Sequence, residues 1–289
     1  MKTKFSKTQC QHCNQEYDSA LLECPECHSL NSDETVRRRW HEVTPLGPSK
    51  EIGVFCLGFL GLQIIEIIVE LIVLFIERNS LISQGYSDSA LNDALTNYLS
   101  TGDGLAAIFF PTYGIIFVLL LLLLWDKNLN LLAKFKQGKT YFGFLVCLAI
   151  IFFDLVYSNL IATFINGQSN QNQSNIVAIE NAYPWLSLLI FGLVGPFVEE
   201  AAYRLGLFNF LKRISTFVAY IGTALFFGFI HFDWSNISSL VEWLNLPPYI
   251  FAGLALAFAY DKFGFGASYI AHATNNLFSC LILIIQQRS

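Results

Sequence analysis

The sequence predicts an all-α polytopic membrane protein with seven transmembrane helices, or eight if a further crossing hides near the C-terminus, behind a small amino-terminal zinc ribbon. Three observations predict it. Long apolar runs recur at about 53–77, 105–126, 140–166, 184–211, 215–232, 247–261 and 267–286. Charged residues make up only 13% of the 289 and hydrophobic ones 54%, a balance that excludes an ordinary soluble domain. Four of the seven cysteines form two CxxC pairs within the first 27 residues.

The elements follow in order. The first fifty residues are polar and lack a basic-then-apolar start, so no cleavable signal peptide is expected. Residues 1–35 form the ribbon. "CQHC" supplies Cys10 and Cys13, "CPEC" supplies Cys24 and Cys27, and four thiolates suit tetrahedral zinc. His12 and His28 lie beside them but are not needed, since four cysteines complete the set. Two disulfides would be the alternative in an exported segment. About thirty residues cannot build a sufficient core, so a structural metal would supply the folding energy. The ribbon reads as a docking module for a protein partner. No Lys or Arg lies between Cys10 and Cys27, so nothing predicts nucleic-acid binding.

Residues 36–52 are a basic juxtamembrane linker, 53–166 hold three spans, and 184–286 hold the rest. Runs of this length need helices, because only helices or closed barrels satisfy the backbone in lipid. The 247–261 run is short and is expected to borrow from the preceding "SSLVEWLNLPP". Every second connection is basic: Arg37, Arg38, Arg39 and Lys50, then Lys127, Lys134, Lys136 and Lys139, then Lys212 and Arg213, then Lys262. That alternation puts the N-terminus in the cytoplasm, where thiols stay reduced and zinc is favoured over disulfides. Arg288 at the far end runs against the pattern. Cys56, Cys147 and Cys280 sit in apolar runs as small packing residues. Glu66, Glu70 and Asp154 could line a transport path, but no inverted repeat supports a transporter, and hydrogen bonds between helices are the plainer reading.

The polar groups of the last four runs carry the chemistry. "VGPFVEEAAYRLGLF" places Glu199, Glu200 and Arg204 in an apolar stretch, where ionisable side chains mark a functional site. Glu200 and Arg204, four apart, share a helix face and can pair. Glu199 points elsewhere, without that partner, as a general base must, and Pro196 bends the helix nearby. "FFGFIHF" places Phe227 and His231 four apart. "IAHATNNLF" does the same for His272 and Asn276, with Asn275 turned aside. Counted from the cytoplasmic ends at about 1.5 Å per residue, His272 lies about 8 Å deep, Asn276 14 Å, Glu199 18 Å and His231 24 Å.

These motifs, EExxxR, FxxxH and HxxxN in that order, resemble those of the CAAX protease and bacteriocin-processing (CPBP, or Abi) family of intramembrane endopeptidases. The stretch "GLALAFAYDKFGFGASYIAHATNN" also looks like that family's final segment. The resemblance covers about 184–286 and leaves out the ribbon and the first three spans. It implies hydrolysis of a peptide bond in a membrane-associated protein or peptide. By motif, Glu199 and His231 would activate water, and His272 and Asn276 would hold the tetrahedral oxyanion. Glu200, Arg204 and Phe227 would support the site. No active-site metal is implied, although two His and a Glu could ligate zinc in a metalloprotease alternative, and a non-catalytic adaptor or immunity protein would keep the fold without needing Glu199. The expected location is a bacterial cytoplasmic membrane.

Overall fold

The computed structural model describes residues 7–18, 24–27, 29, 46–126, 131 and 135–286. His28, Arg37, Arg38, Arg39, Lys127, Lys134 and Arg288 lie outside them. The chain divides into two compact units, Met1–Pro48 and Ser49–Ser289.

The first unit contains an antiparallel hairpin, β1 (Lys7–Gln9) and β2 (Glu16–Asp18), with Thr8 opposite Tyr17. Cys10 ends β1, and Asn14 takes the left-handed conformation (φ 60°) that closes the tight turn back into β2. Tyr17 is buried against Cys10 and Cys24.

The second unit is all helix. In chain order these are α1 (Pro48–Ser83), α2 (Asp88–Leu99), α3 (Gly102–Leu123), α4 (Gly138–Ile165), α5 (Gln171–Ala182), α6 (Pro184–Lys212), α7 (Thr216–Phe229), α8 (Leu240–Phe263) and α9 (Phe265–Gln286). Six of them, α1, α3, α4, α6, α8 and α9, are long and apolar enough to cross a membrane. The expected crossing over 215–232 is the 14-residue α7, about 21 Å long and short of the roughly 30 Å hydrocarbon layer. Six helices among the described residues thus reach the length of a crossing, and the expected seventh is a shorter apolar helix. The helix ends at Phe229 because Ile230–Phe232 turn the chain into a 3-10 segment at Trp234–Asn236. The weak sixth run does borrow upstream: α8 starts at Leu240 and carries Pro247 and Pro248 inside it.

Ion pairs mark one end of the bundle. Arg213 donates two hydrogen bonds to Glu51 at 2.8 and 3.0 Å, Lys212 pairs with Asp261, and Lys50 pairs with Asp126. The start of α1 and the ends of α3, α6 and α8 thus meet where the basic connections lie. The other end is tied by Tyr183 to Asp103 at 2.9 Å, Asn170 to the His231 carbonyl at 3.0 Å, and Glu242 accepting from the Gln171 and Asp233 amides. Exposed Ile64, Ile67, Leu71 and Phe75 on α1, and Leu148, Phe152, Leu160 and Phe164 on α4, face lipid, while exposed Trp125 and Tyr141 stand at the basic end and Trp185, Trp234 and Trp243 at the other.

Helix α6 is the central one: 56% of its apolar window is buried, against 6% for α1. Its Ala202 and Tyr203 pack with Val146 and Ile150 of α4, Phe227 of α7, Leu256 of α8 and Ala271 of α9. It is not a plain α-helix. Ile190–Val194 and Ala201–Phe208 are π-helical and bracket the α-turn Gly195–Glu200 that carries the two glutamates. Such wide turns cluster at functional sites. Gly206 lets α1 approach this segment, because a Cβ there would lie 2.8 Å from the Phe55 backbone nitrogen.

Candidate active site

Glu200 is a fully buried hub. One oxygen, Oε2, accepts from Arg204 Nε at 3.0 Å and from the Ser268 hydroxyl, and Oε1 lies 3.0 Å from His272 Nδ1. The expected i,i+4 pair with Arg204 is present, and Ser268 and His272 are partners that the spacing did not reveal. Since Glu200 accepts at Nδ1–H, the other ring nitrogen of His272, Nε2, is left toward Glu199, 3.9 Å from its Oε2.

Glu199 is not without a partner, as its helix face suggested. Tyr113, from α3, donates its hydroxyl to Oε1 at 3.4 Å. The other oxygen, Oε2, is buried and has no hydrogen-bond partner among the described residues. A buried acceptor without a donor is costly in a purely structural role and is what a water-activating base requires.

His231 sits just past α7. Its Nδ1 is 2.7 Å from the Phe227 carbonyl, which can only accept, so Nδ1 carries the proton and Nε2 keeps a free lone pair. The ring stacks on Tyr249 at 4.4 Å. Phe227 lies between the two histidines, with ring centroids 4.8 Å from His231 and 5.6 Å from His272, and the Arg204 guanidinium sits 5.5 Å over its face. Asn276 donates to the Phe191 carbonyl at 3.0 Å, which uses one of its two amide hydrogens.

Glu199, His231, His272 and Asn276 all line one cavity of about 180 Å³, together with Tyr113, Asn172 and Tyr249. The depth spread counted from helix ends does not keep the four side chains apart, since all of them line this cavity. Asn275, expected to turn aside, lines the cavity as well. Tyr113, Asn172, Glu199 and His231 also border an adjoining cavity of about 230 Å³ that reaches Glu66. Asp154 lies away from both, beside Ser158. Tyr113 and Asn172 were missed because neither belongs to a recognisable motif; both come from helices distant in sequence.

The four ribbon cysteines form a separate cluster. Their sulfurs lie within 4.8 Å of one another, with Cys10 and Cys27 3.5 Å apart and Cys13 and Cys24 3.6 Å apart. Those separations are too long for disulfides and near the roughly 3.8 Å edge of a tetrahedron with metal–sulfur bonds of about 2.3 Å. The Ser29 hydroxyl, with the backbone amides of Cys13 and His12, pulls the Cys10 thiol down to about 5, favouring thiolate. His12 contributes its amide to Cys10 rather than its ring. The cluster can hold a metal. Among the described residues it is the only group of three or more such side chains placed to do so.

Comparison with known proteins agrees with the motifs. Residues 181–278 match the family model described as type II CAAX prenyl endopeptidase Rce1-like. The UPF0177 protein YvdC of Lactococcus lactis subsp. lactis (strain IL1403) is 25% identical over 153 residues, which cover 52% of this chain and 54% of YvdC. The chain thus spans about half the length of that relative. No solved structure matches. The matched segment contains Glu199, Glu200, Arg204, Phe227, His231, His272 and Asn276, and it supports a CPBP-type membrane endopeptidase core.

Proposed function

We propose that the protein hydrolyses a peptide bond of a membrane-associated protein or peptide through a water molecule activated by Glu199. The observation that carries this reading is Glu199, whose buried Oε2 has no hydrogen-bond partner among the described residues, lining a cavity with His231, His272 and Asn276. Glu199 takes a proton from water while its oxygen attacks the scissile carbonyl carbon. His231 Nε2 accepts the second hydrogen of that water and aligns it. The resulting oxyanion is met by the free Asn276 N–H and by His272, whose protonated ring is held by Glu200 on its far side. Glu199 then returns the proton to the leaving amine as the C–N bond breaks. The cavity of about 180 Å³ has room for the attacking water beside these side chains.

In the same reading Cys10, Cys13, Cys24 and Cys27 bind one structural zinc, and the ribbon docks a partner. The N-terminus is cytoplasmic, in a bacterial cytoplasmic membrane. Accessibility labelling of introduced cysteines should find residues 135–139 cytoplasmic and 168–182 on the opposite side. The reverse result would overturn both the orientation and the reduced-thiol argument for zinc.

The experiment that tests the mechanism must separate the two metal possibilities. The intact chain should bind one zinc, and a chelator could inactivate it by unfolding the ribbon. A chain starting at residue 49, with membrane insertion verified, should contain no stoichiometric zinc, and its cleavage of membrane-anchored peptides should survive strong chelation. Zinc at one per truncated chain, with activity lost on chelation and restored by metal, would make His231 and His272 ligands and refute the proposal.

A further inference from the structure

A second carboxylate borders the same cavity and has no part in the chemistry above. Glu180, on α5, is only 3% exposed and lines the cavity with Glu199. Its Oε1 accepts from Cys280 Sγ at 2.7 Å, and its Oε2 is buried with no hydrogen-bond partner among the described residues. Burial pushes this carboxyl above the ordinary carboxylate range. No Lys or Arg is among the described residues that line the cavity. A buried carboxylate at a cavity wall without a cation among its described neighbours is satisfied well by a ligand cation that brings its own N–H donors.

The location fits a substrate subsite. Cys280 lies one helical turn, about 6 Å, beyond Asn276 on α9. An extended peptide advances about 3.3 Å per residue, so Glu180 stands about two residues from the oxyanion position.

We propose that Glu180 is a specificity-determining residue that receives the Lys or Arg side chain of a substrate residue within about two positions of the scissile bond. The inference rests on the peptide-hydrolysis reading, and the test separates the two. The full chain carrying Glu199→Gln, purified in detergent, is titrated with fluorescent, end-capped peptides that place Lys or norleucine at each position in turn. At one position the Lys peptide should bind about 10-fold or more tighter, the scale of a charge-assisted hydrogen bond. Adding Glu180→Gln should erase that difference and leave the norleucine peptides unchanged. Cys280→Ala, which removes the thiol but keeps the charge, should preserve it. Equal binding of Lys and norleucine peptides at every position, or a preference that survives Glu180→Gln, overturns the subsite. The Lys–norleucine comparison is made within one protein, so it stands even if Glu180→Gln does not fold. Cleavage by the unsubstituted chain is scored separately: no hydrolysis with the preference intact sinks the protease reading and leaves the subsite, whereas hydrolysis without the preference does the reverse.

Discussion

Glu199→Gln should lower kcat for peptide hydrolysis by about 10³-fold or more, while the protein inserts and unfolds thermally like the parent. A carboxamide has the volume of a carboxylate but cannot take a proton from water, and a positioned general base contributes about 10²–10⁴-fold. The fold has little reason to respond. The amide oxygen can still accept from Tyr113, and the atom that loses its charge, Oε2, has no partner among the described residues. Rates on a membrane-anchored peptide, with thermal denaturation in the same detergent, check both halves. A well-folded variant with full activity would refute the assigned base. A parent protein that binds a partner, cleaves nothing and tolerates this substitution would instead be the adaptor.

The neighbouring substitution should behave differently. Glu200→Gln should destabilise the protein by about 3–5 kcal/mol, the cost of breaking a buried ion pair and stranding one charge. Arg204 is fully buried, and its Nη1 and Nη2 have no hydrogen-bond partners among the described residues, so the Glu200 carboxylate is its main compensation beyond the Phe227 ring. Activity should also fall by roughly 10–100-fold at temperatures where the variant is folded, because His272 loses the charged acceptor that orients its ring. Glu200→Gln combined with Arg204→Met separates the effects: stability should return and activity should not. Recovery of both would mean that Glu200 serves only the arginine. Unchanged stability of the single variant would show that the pair is not buried as described.

The two adjacent glutamates show how far a sequence reaches. Hydropathy, charge alternation and cysteine spacing are properties of single segments, so the helical membrane class, the crowded cysteines and the α6 location of both carboxylates were legible directly. The Glu200–Arg204 pair was legible too, because four residues along one helix is local geometry. The length of α7 was less legible, because an apolar run such as "FFGFIHF" does not show where the backbone leaves the helix.

Other features needed the packed bundle. Tyr113 reaches Glu199 across 86 residues of sequence, and Ser268 and His272 reach Glu200 across about 70. The π-turn Ala201–Phe208 of α6 is packed by α1, α7 and α8, and no periodicity in that stretch announces it. Glu180 belongs to no motif, and it is α5 packing at the cavity that buries it beside Cys280. By itself the sequence determined the helical membrane class and which motif side chains lie in apolar segments, because burying apolar surface and satisfying the backbone act segment by segment. Only the tertiary structure decided which of those side chains meet, that one oxygen of Glu199 has no partner among the described residues while both of Glu200 do, and that Glu180 shares their cavity, because such contacts depend on how helices far apart in the chain pack together.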